Sequence, residues 1–166
     1  MYLKISRFSV LLILAALLLG PTLKHDASAE ELHSFGIIGD TKIGVTERVF
    51  KKFLKTLDEH SADLAFIVGD VIDEPGNEDE WKRFSSLVGS KKAMFHIAPG
   101  NHDINTFKSQ AVFRKVTGRP PYYSFTVGDT QFILLNTEDP SAPGKITGKQ
   151  LSWLRQELTR PALLRI

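Results

Sequence analysis

The 166-residue chain carries 21 lysines and arginines against 19 aspartates and glutamates, and 42% of it is hydrophobic, which allows one domain with a packed core. It has no cysteine, so a disulfide framework, a zinc–thiolate centre, a thiol nucleophile and a lipidated cysteine are excluded. The positive excess lies in the first 29 residues, where Lys4, Arg7 and Lys24 stand against Asp26. Residues 30–166 carry 18 basic (21 less 3) and 18 acidic (19 less 1) side chains, so they offer no electrostatic footprint for nucleic acid and no such partner is expected.

Residues 1–29 read as a secretory signal peptide. Lys4 and Arg7 make its positive region, residues 8–19 are apolar apart from Ser9, and Ala27-Ser28-Ala29 is a small-x-small cleavage site. The apolar run is short against the ~20 residues of a membrane span. Contact with a membrane is therefore expected only if the segment stays uncleaved. The expectation is export, to a periplasm, a cell surface or the medium, with one domain over residues 30–166.

Residues 32–38 read as the first strand, ending at Gly39-Asp40. A helix comes next over residues 47–59, with Thr46 as N-cap and Val49, Phe50, Phe53, Leu54 and Leu57 as its apolar stripe. Residues 64–68 form a continuous apolar run, the pattern of a strand covered on both faces, and end at Gly69-Asp70. Asn77 and Glu80 predict a capping box opening a helix with Trp81, Phe84 and Val88 inward. Residues 93–98 are the third strand, stopped by Pro99-Gly100 before Asn101-His102-Asp103. A helix over residues 105–116 buries Val112, Phe113 and Val116. Residues 122–127 and 131–135 make a hairpin about Gly128-Asp129. Thr147 and Gln150 predict another capping box, before a helix carrying Leu151, Leu154 and Leu158. Trp81 and Trp153 are both expected in the core.

The spacing makes one site out of three turns. Asp40 to Asp70 is 30 residues and Asp70 to Asn101 is 31, each interval holding one strand–helix–strand unit. Such units form a parallel sheet, and its carboxyl edge is where ligands collect in open α/β folds. Singly, each residue reads as a strand cap or a turn former. Together, two carboxylates, an amide oxygen and an imidazole suit a divalent metal and a proton donor. Asp40 and Asp70 repel unless a cation lies between them, and a carboxylate can bridge two ions. His102 then protonates a leaving oxygen, with Asp103 or another carboxylate orienting its ring.

These blocks, Gly39-Asp40, Gly69-Asp70-Val71-Ile72-Asp73 and Gly100-Asn101-His102-Asp103, resemble the first three of the calcineurin-like metallophosphoesterases. Tyr122-Tyr123-Ser124-Phe125 leading to Asn136-Thr137, and Gly148 to Leu154, resemble the hairpin and helix that come next. The resemblance spans about residues 33–158. It implies an α/β fold, the amino-terminal part of a four-layer α/β/β/α sandwich, with a centre of two divalent ions (Mn, Fe or Zn). It implies that Asp40 binds the first ion, Asp70 bridges and Asn101 binds the second. His102 faces the scissile phosphate, and Asp73 either supports a site residue from behind or is structural, and is not itself an ion ligand. The activity implied is hydrolysis of phosphomonoesters or phosphodiesters by a metal-bound hydroxide.

The chain departs from the pattern in two places. Lys42 stands where the family has a histidine ligand, and it is a candidate for a phosphate contact or an exposed loop lysine. The later histidine and the Gly-His-x-His block have no counterpart, so the domain reads as truncated at its carboxyl end with its second sheet largely absent. The alternative function is therefore a non-catalytic half-domain, a phosphate-binding or interaction module.

Overall fold

The computed structural model describes residues 32–166. The signal-peptide reading falls outside them. The first half of the fold is a parallel sheet of β1 (Phe35–Ile38), β2 (Leu64–Val68) and β3 (Phe95–Ala98), with β2 in the middle. Helices α1 (Glu47–Glu59) and α2 (Glu78–Val88) make the two returns, and α3 (Phe107–Thr117) leaves the third strand. Then come the antiparallel strands β4 (Tyr123–Val127) and β5 (Thr130–Leu134), helix α4 (Gly148–Glu157) and a short strand β6 (Leu164–Arg165).

The period of two along a strand separates the cores. Ala65 and Ile67 of β2, with Phe95 and Ile97 of β3, face the buried side chains of the helices, among them Phe50, Trp81, Phe84 and Phe113. Phe66 points the other way, against Phe132 and Leu134 of the second sheet. This explains why β2 reads as apolar without alternation: both of its faces are covered. Helix α4 lies on the far face of the second sheet, because Glu157 bonds Ser124 of β4 and Gln131 of β5, which alternate with the inward Phe125 and Phe132. The order is therefore helices, sheet, sheet, helix, the α/β/β/α arrangement.

Several expectations need correcting. The second sheet is present with three strands, since Leu164 and Arg165 pair in parallel with Thr130 and Gln131. The third strand begins at Phe95, because Gly89–Met94 winds into a 3₁₀ turn. Val49 lies outside the buried stripe of α1, 54% exposed. Trp81 is wholly buried, whereas Trp153 is half-buried against the Tyr122 ring at 5.0 Å.

Three caps also form differently. Thr46 stands at the N-cap of α1 but its hydroxyl caps nothing, donating instead to the Thr41 C=O. Thr147 caps nothing with its side chain, because the Gln150 amide is buried and bridges the N–H and C=O of Asn136, both at 2.8 Å. Asn77 does cap α2, accepting from Asp79 and Glu80 N–H. The Glu80 carboxylate instead takes the N–H groups of Asp73 and Glu74 at 2.8 and 3.1 Å, tying α2 to the loop after β2. The reciprocal capping box is at Thr106 and Ser109, where the sequence pattern predicted none.

Candidate metal and phosphoester site

The strands end in register, Ile38 beside Ile67 and Val68 beside Ala98, so their three loops leave the same edge. They are stitched together there. Asp40 N–H donates to Gly69 C=O at 3.0 Å, Lys42 N–H to Asp70 C=O at 3.0 Å and Ile43 N–H to Val71 C=O at 2.8 Å. Asp40 and Asp70 sit at φ 54° and 57°, a left-handed conformation that non-glycine residues seldom adopt. Strain of this kind collects at functional loops.

Asp70 is the best-fixed donor. Its Oδ1 accepts the backbone N–H of His102 at 3.1 Å, joining the second and third loops directly. A Cβ on Gly100 would stand 2.1 Å from that oxygen, so only glycine lets the loops come this close.

The His102 ring is held by Asp73. Nδ1 bonds the Asp73 backbone carbonyl, and the Asp73 carboxylate lies 3.7 Å from the same nitrogen. Nδ1 therefore carries the hydrogen, and Nε2 is left for proton transfer.

Asp103 does not orient that ring. Its carboxylate is fully buried and accepts the N–H groups of Val71 (2.9 Å), Ile72 (3.3 Å) and Gly100 (2.9 Å). Burial pushes its pKa up to about 7 against the pull of those donors, and the Asp70 charge adds to the rise. Asp103 is a positioning residue that clamps two loops, not a group that meets a substrate.

Asp40, Asp70, Gly100 and Asn101 form one wall of a cleft of about 350 Å³. Leu135, Thr137 and Glu138, just beyond β5, form the other. Sequence reading gave Thr137 and Glu138 no role. The signal was available, because residues 132–135 are a short apolar run followed by polar residues, as at the other three strand ends. Lys42 joins the site through an ion pair with Asp40, 3.5 Å from Nζ to Oδ1.

The donors gathered here are carboxylate and amide oxygens, which suit a hard divalent cation. Asp70 and Asn101 line the same cleft and are the oxygens that would face such an ion. Asp40 fits less well, because an ammonium already faces its carboxylate. Among the described residues no group of three or more His, Cys, Asp or Glu is placed to hold an ion.

The two-sheet sandwich thus gathers carboxylates, an amide and the loop of an imidazole at its strand ends. A family model described as Calcineurin-like phosphoesterase matches residues 33–157, and the chain belongs to that family, whose members use divalent metal cofactors. A relative from Fibrobacter succinogenes described as "Probable cyclic nucleotide phosphodiesterase" is 31% identical over 137 residues. That match covers 75% of this chain and 51% of the relative, so the chain spans about half the length of the curated relative it matches. A purple acid phosphatase from yellow lupin seeds shares the fold, with a TM-score of 0.53 and 17% identity over 74% of this chain and 26% of that one. A phosphoesterase from E. coli, Yfce, has a TM-score of 0.39 and 16% identity over 68% and 62%.

Proposed function

We propose that this site hydrolyses phosphate esters with the help of a divalent cation held by Asp70 and Asn101. The observation that carries the reading is the bond from His102 N–H to Asp70 Oδ1. It ties the backbone of His102, our proton-transfer group, to the carboxylate of Asp70, our cation ligand, on adjoining loops. When bound, the ion supplies Lewis acidity toward the phosphoryl group and acidifies a water. Asp70 and Asn101 orient that charge. His102, held through Nδ1 by Asp73, presents Nε2 and delivers a proton to the leaving oxygen. Lys42, held on Asp40, offers the phosphoryl oxygens a fixed positive charge.

The substrate class we favour is a phosphodiester, from the description of the Fibrobacter relative. The signal-peptide pattern of residues 1–29 supports an exported activity. The test is hydrolysis of bis-p-nitrophenyl phosphate and p-nitrophenyl phosphate with Mn²⁺ added or chelated. We expect Mn²⁺-dependent turnover, faster on the diester, and its loss in Asp70→Asn. Phosphate binding with no product formed would leave the binding-module reading in its place.

A further inference from the structure

The expectation of two ions meets its difficulty at Asp40. That carboxylate is 72% exposed, and its cationic partner is Lys42. Lys42 is held in place: its side chain is only 29% exposed and its backbone sits at φ 38°. Its N–H donates to Asp70 C=O, and its C=O accepts from the N–H groups of Val45 and Thr46 at 2.9 and 3.1 Å. A protonated lysine has no electron pair to give a metal. It also sets a full positive charge beside the oxygen that a first ion would need. Among the described residues no ammonium pairs with Asp70, whose Oδ1 takes the N–H of His102.

We infer that the Lys42 ammonium stands in for one of the two ions, so that the site holds a single divalent cation on Asp70 and Asn101 beside a built-in Lys42–Asp40 charge pair. This inference rests on the metal-assisted reading above. Electrostatics favours it. The cleft's carboxylates are Asp40, Asp70 and Glu138, so with one ammonium they carry two net negative charges, which a single divalent ion cancels. A second ion at the Asp40 carboxylate would meet the Lys42 ammonium already paired there, and like charges repel. The ammonium also does part of what a second ion does, since it can neutralise charge on a phosphoryl oxygen without any coordination geometry.

The experiment is a Mn²⁺ titration of the full chain by calorimetry, with free ion counted by electron paramagnetic resonance. Circular dichroism checks that each variant is folded. We expect one equivalent in the unaltered chain. Asp40→Asn should change the affinity by no more than about three-fold, and Asp70→Asn should weaken it at least about ten-fold. Lys42→Met removes the opposing charge, so it should either add a second equivalent or tighten binding about five-fold. Two equivalents in the unaltered chain would overturn the inference and leave the phosphoesterase reading standing. So would an Asp40→Asn defect as large as that of Asp70→Asn, or a Lys42→Met titration identical to the original. A folded chain that binds no Mn²⁺ would remove the metal-assisted reading itself, and this inference with it.

Discussion

Gly100 and Asp70 are in direct apposition: a side chain built on Gly100 would overlap Asp70 Oδ1 at 2.1 Å and approach the Asp70 backbone nitrogen to 2.6 Å. The carboxylate could swing aside, but the backbone could not. Gly100→Ala must therefore push the third loop away from the second and break the His102–Asp70 bond. The expected result is a folded protein destabilised by about 1–3 kcal/mol. Its Mn²⁺-dependent hydrolysis should fall by about a hundred-fold, the scale of a misplacement near 1 Å. Denaturant titration and diester kinetics check the two halves.

Asp103 makes a separate prediction, because it acts on the loops and not on a substrate. Asp103→Ala leaves the buried N–H groups of Val71 and Ile72 and the half-buried N–H of Gly100 without their acceptor. The expected loss is about 3 kcal/mol or more, since each stranded group costs on the order of 1 kcal/mol or more. The melting temperature should fall sharply. Asp103→Asn should be intermediate, because its amide turns one acceptor into a donor facing an N–H.

The sheet interface carries a pH dependence. His96 is buried between the sheets, its Nδ1 2.9 Å from the Tyr123 hydroxyl and its ring stacked on Phe125 at 3.9 Å. Burial, then the nearby Arg119 charge, lowers its pKa from 6.5 to about 4. The fold thus prefers the neutral ring. The associated stability is fully present above pH 6.5 and is lost as the pH falls from there toward 4. The loss amounts to about 3 kcal/mol at most, by linkage over that interval. Unfolding measured at pH 7 and pH 4.5 should show this component, and His96→Gln should remove it.

Helix α4 is anchored by a polar side chain. Glu157 is 3% exposed, and its Oε2 accepts from Ser124 Oγ (2.6 Å), Gln131 Nε2 (3.0 Å) and the Arg160 guanidinium (3.0 Å). Glu157→Ala strands two buried or half-buried donors and frees the helix from the second sheet. The destabilisation should be about 2–4 kcal/mol. Hydrogen exchange should show α4 opening ahead of the first sheet.

The order of the elements and the convergence of Asp40, Asp70, Asn101 and His102 could be read from the chain. Both rest on local signals: apolar runs of strand length, polar turns after them, and a repeat near thirty residues that returns each strand to the same edge. Other assignments depended on partners far away in sequence. Thr147 and Gln150 have the spacing of a capping box, yet Gln150 satisfies the backbone of Asn136 instead. Asp103 looks like a companion of His102, but N–H groups arriving from Val71 and Ile72 capture its carboxylate. Leu164 and Arg165 are too short a run to announce a strand, and only the open edge of β5 makes them one. Lys42 reads equally well as a loop lysine until the stitching of two loops sets its ammonium on Asp40. Periodicity and turn chemistry act within a few residues, so the scaffold and the edge where the site forms were written in the order of the amino acids. Buried hydrogen-bond acceptors and charges are settled by whichever donor the packing brings to them, so the partner of each polar group emerged only once the sheets and helices had come together.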